Sequence, residues 1–137
     1  MWHNRAIPTE LELVLNGNLG ELERVAAETE RFCHERSLAS EVQFDLNLVL
    51  EELFINAVRH GGCEGMENAV HVRLEAADGD LRVEFRDRGK PFDPNTAPPP
   101  DLSRVGGLGI HLVRNLMTDF HYERSGDWNR ITMRRSL

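Results

Sequence analysis

Cysteine and long apolar runs are both scarce in this sequence. Its 137 residues include only Cys33 and Cys63, which match neither a disulfide framework nor the ligand spacing of a zinc site. No apolar run approaches the roughly 18 residues that span a bilayer. The first ten residues, MWHNRAIPTE, lack the apolar segment of a signal peptide. These absences argue against a membrane or secreted protein, so we expect a cytoplasmic one.

Basic residues are also fewer than acidic ones, with 16 Lys and Arg against 23 Asp and Glu. The formal net charge is -7, which argues against direct binding to nucleic acid, because such proteins use a basic surface to displace counterions from phosphate. The last quarter of the chain is an exception, with Arg114, Arg124, Arg130, Arg134 and Arg135. This asymmetry suits a phosphate-bearing ligand or an acidic protein partner, and equally an ordinary solvated surface.

The length suits one domain over residues 1–137, and the apolar periodicity predicts its elements. The predicted order is a strand at 10–15, helices at 19–36 and 40–60, a hairpin at 70–86 turning at Asp78-Gly79, a loop at 87–109, a helix at 109–118 and two short strands near FHYER and RITMRR. We therefore expect an α+β two-layer sandwich, with a mostly antiparallel sheet covered on one face by about three helices.

The second predicted helix ends with EELFINAVRHGG, in which polar residues recur once per turn. Apolar residues flank this polar stripe on both sides, so it is narrower than a solvated face requires and favours the wall of a cleft. From this segment alone, a surface helix facing water is an equally good interpretation. The stripe consists of Asp45, Glu52, Asn56, Arg59 and His60.

Two further segments suggest a ligand. Asp87 directly follows a predicted strand and precedes Gly89, so its carboxylate should lie at a sheet end, where it can accept a hydrogen bond from an exocyclic amine. The glycines of GGLG at 106–109 open a helix, where backbone N–H groups can approach a phosphate. Glycines before a helix also often serve only to form a turn.

Together these segments resemble a known family. EELFINAVRHG resembles the N-box, DRGKPFDP the first glycine box and GGLGIHLVRNLM the second glycine box of the GHKL ATPases. The resemblance covers the chain from about residue 40 to its end and is strongest to bacterial anti-sigma-factor serine kinases. It implies a Bergerat-type ATP-binding fold with ATP and Mg²⁺ as cofactors.

The resemblance also implies residue roles. Asn56 would coordinate Mg²⁺, and Glu52 would be the catalytic base that accepts the proton of a serine hydroxyl. Asp87 would read the adenine amine, helped by Thr132 through water, and Gly89 would leave room for the base. The other implied nucleotide-binding residues are Arg59, His60, Pro91, Phe92, Arg104, Gly106, Gly107, Leu108 and Gly109.

Two of these assignments have alternatives. His60 can equally serve the end of its helix, and Arg104 does not occupy the place of the arginine found in some relatives. The implied partners are an anti-anti-sigma (STAS-like) protein phosphorylated on serine and a sigma factor, with a homodimer possible. A non-catalytic module that uses ATP or ADP to switch between protein partners is the alternative function, and a structural domain with degenerate motifs is a third.

Overall fold

The computed structural model describes residues 10–92 and 109–137, which contain five strands and three α-helices. In chain order they are β1 (Glu10–Leu15), α1 (Leu22–Glu35), α2 (Ser40–Arg59), β2 (Val70–Ala77), β3 (Asp80–Asp87), α3 (Gly109–Leu116), β4 (Thr118–Ser125) and β5 (Trp128–Ser136). A single turn of 3-10 helix at Leu19–Glu21 leads into α1. None of these helices is both long and apolar enough to cross a membrane.

The strands form one sheet in the order β1-β2-β3-β5-β4, and every neighbouring pair is antiparallel. The expected α+β sandwich is confirmed, with a fully antiparallel sheet among the described strands where a mostly antiparallel one was predicted. Asp78 and Gly79, with φ values of 54° and 78°, form the predicted turn between β2 and β3. Both residues in the left-handed region match the hairpin turn that follows the twist of the strands.

The three helices cover one face of the sheet, and the core lies between the two layers. Side chains alternate along each strand, so Leu81, Val83 and Phe85 of β3 point to the helices and are almost fully buried. Phe54 of α2 and Phe32 of α1 meet this layer and are about as deeply buried. Replacing either phenylalanine by alanine would cost about 3–5 kcal/mol, so this packing positions α2 firmly against the sheet.

The opposite face of the sheet is polar and open. It carries ion pairs between strands, among them Arg73 to Glu10 at 2.6 Å and Arg130 to Glu84 at 2.9 Å. Such exposed pairs contribute at most about 1 kcal/mol each. The face therefore behaves as a solvated surface, and the helix side of the sheet carries the core.

The element boundaries differ from the predicted ones mainly near the end of the chain. The strands β4 and β5 contain eight and nine residues and are longer than the short strands expected. The helix α3 ends at Leu116, two residues earlier than predicted. The side chain of Asn18 accepts from the backbone N–H of Gly20 and so caps the 3-10 turn that precedes α1.

Candidate functional site

The helix α2 brings the polar stripe to the edge of the core. Its buried residues include Leu53, Phe54 and Ala57, whereas Glu52 and Asn56 are only half-buried. The helix stops at the predicted pair of glycines, where the backbone N–H groups of His60 and Gly61 both donate to the carbonyl of Asn56.

Glu52 is a half-buried carboxylate without a bonded cation. It forms no hydrogen bond or ion pair with any residue of the described chain. It lies against the start of α3, because a Cβ added to Gly109 would come within 2.1 Å of its Oε2. Burial, followed by the charge of Glu51, raises the pKa of Glu52. A carboxylate with a raised pKa and no competing donor is suited to accept a proton.

Asn56 lies one helical turn after Glu52, about 6 Å along the axis. Its side-chain amide makes no hydrogen bond within residues 10–92 and 109–137 and is half-exposed. The amide oxygen is therefore available to a ligand or a metal ion. Across the described ranges, no group of three His, Cys, Asp or Glu residues could hold a metal by itself, so an ion beside Asn56 would need oxygens supplied by a ligand.

Asp87 ends β3 and is buried, with 7% of its surface exposed. Its Oδ1 accepts from the backbone N–H of Gly89 at 2.8 Å and from Asn129 Nδ2 at 3.1 Å. Oδ2 accepts from no donor in the described segments and is left for a ligand. Burial raises the pKa of Asp87, against the opposing effects of these two hydrogen bonds and the Arg124 charge.

The end of α2 and the end of β3 meet at two glycines. The backbone N–H of Lys90 donates to the carbonyl of Gly61 at 2.9 Å. A Cβ on Gly89 would lie 2.7 Å from Asp87 Oδ1 and 2.8 Å from the Gly61 carbonyl oxygen, so only glycine allows this approach. The end of α2, which carries Asn56, therefore adjoins the end of β3, which carries Asp87.

Asn129 is a residue of the site that the sequence patterns missed. It lies on β5 opposite Asp87, is 2% exposed, and also donates to the Lys90 carbonyl at 2.6 Å. Its side-chain oxygen accepts from Tyr122 at 2.6 Å and from Arg124 at 3.2 Å. Strand alternation could have found it, because Asn129 shares the inward face with Ile131 and Met133, and a buried amide needs partners.

Other predicted site residues lie at the margins. Arg59 and His60 are exposed at the end of α2, where His60 caps the helix. Pro91 and Phe92 follow the Asp87 loop and are also exposed. Gly109 is buried against Glu52. The predictions for Arg104, Gly106, Gly107 and Leu108 lie outside the described residues.

Two expectations are corrected. Thr132 was expected to help Asp87, but it is aligned with Glu84 and His121 on the open face of the sheet, opposite to the helices. Since side chains alternate along β5, the neighbours of Thr132, Ile131 and Met133, point to the helix-covered face of the sheet, the same face as Asp87. Asp45 belongs to the polar stripe by helical phase, but its Oδ2 is bound by Arg135 at 2.9 Å, which ties α2 to β5.

Comparison with known proteins agrees with this arrangement of motifs. The family model of the histidine kinase-like ATPase domain matches residues 15–135. The chain belongs to the histidine kinase-like ATPase family. It is 30% identical over 101 residues to the serine/threonine-protein kinase BtrW of Bordetella bronchiseptica, covering 69% of this chain and 71% of that protein.

Solved structures show the same fold as this histidine kinase-like ATPase domain. The structure of the RsbU and RsbW domains of Rv1364c from Mycobacterium tuberculosis superimposes with a TM-score of 0.74 at 19% identity, covering 97% of this chain and 34% of that one. The histidine kinase domain from Erythrobacter litoralis EL346 gives a TM-score of 0.54 at 19% identity, covering 87% of this chain and 60% of that one.

The residues of this histidine kinase-like ATPase domain fit a nucleotide with a metal ion. Asp87 is a buried residue whose Oδ2 accepts from no described donor, Gly89 leaves space beside it, and Asn56 has an amide without a partner in the described chain. A neutral amide oxygen suits Mg²⁺, which commonly takes part of its coordination from substrate phosphates.

Proposed function

We propose that the protein binds Mg²⁺-ATP and acts as an anti-sigma-factor serine/threonine kinase in a partner-switching system. The observation that carries the proposal is the unpartnered Glu52 carboxylate, one helical turn from the unpartnered Asn56 amide, within the described chain. The 30% identity to a protein named as a serine/threonine-protein kinase supports the choice of reaction.

Nucleotide binding would use both parts of the site. Asp87 Oδ2 would accept a hydrogen bond from the adenine amine, and Gly89 would let the base approach the end of β3. Asn56 would hold Mg²⁺ together with the phosphates of ATP. The metal, when bound, would neutralise phosphate charge.

Transfer would need only one proton acceptor from the protein. The serine oxygen of the partner attacks the γ-phosphorus, its proton passes to Glu52, and the bond from that phosphorus to the bridging oxygen breaks. ADP leaves with the electron pair. A raised pKa makes Glu52 a stronger base than an ordinary surface glutamate once it is ionised.

The partners we propose are a STAS-like anti-anti-sigma protein, which offers the serine, and a sigma factor. We also propose that the protein acts in the cytoplasm and can form a homodimer. The structural likeness to a chain containing an RsbW domain supports the fold alone, at 19% identity. The kinship with BtrW supports a protein substrate.

The test is calorimetric titration with ATP and ADP, with and without Mg²⁺, on the wild type and Asn56→Ala. We expect Mg²⁺-dependent ATP binding that the variant loses. The STAS-domain proteins of the same genome are then incubated with γ-labelled ATP and the protein. Nucleotide binding without any label transfer would point instead to a non-catalytic module that uses ATP or ADP to choose partners, and no binding by the folded wild type would overturn both functions.

A further inference from the structure

We infer that Asn129 sets the base specificity of the site by holding Asp87 as an acceptor for a 6-amino purine. This inference rests on the proposed binding of ATP and assigns Asn129 as a positioning residue that acts through Asp87. It predicts discrimination against purines with a 6-oxo group, such as inosine triphosphate (ITP).

A network of hydrogen bonds surrounds the Asn129 amide. Asn129 Nδ2 donates to Asp87 Oδ1 at 3.1 Å and to the Lys90 carbonyl at 2.6 Å. Its Oδ1 accepts from the Tyr122 hydroxyl and from Arg124 Nη1. One buried side chain therefore connects β3, its following loop and the β4-β5 hairpin.

The amide can face only one way in this network. A guanidinium can only donate, so the side-chain oxygen of Asn129 must face Arg124. A backbone carbonyl can only accept, so the amide nitrogen must face Lys90. Asp87 lies on the nitrogen side and is consequently held as an acceptor.

The network also decides which oxygen of Asp87 meets a ligand. Asn129 and the Gly89 N–H both donate to Oδ1, which leaves Oδ2 without a donor in the described parts of the chain. An amine on the purine can donate to Oδ2. A carbonyl at the same position would set two acceptors against each other, and unmatched buried polar groups reject a ligand strongly.

Arg124 adds a second restraint to the same loop. Its Nη1 donates to the Gly89 carbonyl at 2.6 Å, so the carbonyls of Gly89 and Lys90 are both bound from the hairpin side. The loop that follows Asp87 is thereby held against β5, and the carboxylate cannot turn without breaking the two hydrogen bonds that Oδ1 accepts.

The test compares ATP and ITP affinities by calorimetry for the wild type, Asn129→Ala and Asn129→Leu. We expect the wild type to bind ATP more tightly than ITP. In both variants the ratio of ATP to ITP affinity should fall about tenfold, mostly through weaker ATP binding, because Asp87 without its Asn129 partner can turn or take up a proton. Asp87→Asn is the reference, since its amide can donate to the 6-oxo group and should shift preference towards ITP.

Two measurements separate positioning from a merely structural role. Tyr122→Phe removes only one donor to Asn129 Oδ1, and we expect it to fold and to lose a smaller part of the ATP preference. Thr132→Ala changes the same strand on its open face and should keep the wild-type preference.

The outcomes distinguish this inference from the proposed function. A wild type that binds neither nucleotide overturns the proposed function itself. A wild type that prefers ATP, with folded Asn129 and Tyr122 variants that keep the same ratio of ATP to ITP affinity, overturns the role of Asn129 and leaves the proposed function standing. Should the Asn129 variants not fold, the Tyr122→Phe ratio decides.

Discussion

The two ends of the candidate site are built in opposite ways. At the Asp87 end, the side chains of Asn129, Tyr122 and Arg124 bind one another, Asp87 and the backbone after β3. At the Glu52 end, neither Glu52 nor Asn56 has a side-chain hydrogen bond to any described residue. A network of several hydrogen bonds holds one geometry, whereas a group that exchanges protons or binds metal must be free to change partners.

This contrast matches a division between recognition and reaction. An unpaired, partly buried carboxylate destabilises a fold and is usually found where chemistry requires it. The hydrogen-bonded Asp87 end would bind the base, and the Glu52 end would meet the phosphates and the attacking serine. A substitution at one end should therefore leave the role of the other end intact.

Glu52→Gln should abolish the reaction and keep binding. The amide cannot accept the serine proton, so we expect phosphate transfer to fall about 10²–10⁴-fold, with ATP affinity within about twofold of the wild type. Transfer from γ-labelled ATP to a STAS-domain substrate measures the first quantity, and calorimetry measures the second. The adjacent Glu51→Gln removes one source of the raised Glu52 pKa but leaves the base in place, so it should retain most transfer. Full transfer activity of Glu52→Gln would show that Glu52 is not the catalytic base.

Gly109→Ala should disturb the same end through geometry. Alanine favours a helix by about 1 kcal/mol over glycine, but its Cβ would approach Glu52 Oε2 to 2.1 Å, so the carboxylate must move. A displacement of about 1 Å can cost about 10²-fold in rate. We expect a loss of transfer smaller than that of Glu52→Gln, with the protein folded.

The control for this variant is Gly20→Ala, in the turn before α1, where the nearest contact of an added Cβ is a side-chain oxygen at 3.2 Å. Its transfer rate should match that of the wild type. Equal rates for Gly109→Ala and Gly20→Ala would mean that the position of Glu52 does not control the reaction.

The raised pKa of Glu52 predicts how stability depends on pH. The folded state keeps this proton at pH values where the unfolded chain has already lost it, so stability falls as pH rises from the unfolded pKa through the raised folded pKa. Glutamine does not ionise, so Glu52→Gln removes this fall in stability with rising pH. Its melting temperature should exceed that of the wild type by a margin that grows over this range, and an equal margin at every pH would contradict the raised pKa.

Thr132→Ala should have the smallest effect. Thr132 lies on the open face of the sheet, in line with Glu84 and His121, so ATP affinity should stay within about twofold of the wild type, as measured by calorimetry. A loss of tenfold or more would contradict the assignment of the base-reading end to the helix side of the sheet.

The sequence predicted most of the fold because its apolar periodicity is strong. Leu81, Val83 and Phe85 alternate along β3, and the glycines after α2 end the helix where expected. The boundaries near β4 and β5 were less clear, because most of β4 is exposed and gives little apolar signal to read.

The site was predictable where residues are close in sequence and less so where the fold joins distant strands. Helical phase grouped Glu52 and Asn56 correctly on α2. It also included Asp45, whose partner Arg135 is 90 residues away. Thr132 was assigned from the family resemblance, and Asn129 was missed. The pairing of Asn129 with Asp87 depends on the register of β5 against β3, which joins separate parts of the chain.

The most direct test of the account is ATP affinity of the wild type, Asp87→Asn and Glu52→Gln, measured side by side by calorimetry with Mg²⁺. We expect Asp87→Asn to bind ATP about 10–100-fold more weakly, because it loses a hydrogen bond to a charged acceptor, and Glu52→Gln to bind ATP like the wild type. Equal losses in both variants, or unchanged binding in Asp87→Asn, would contradict the division of the site into a base-reading end and a reactive end.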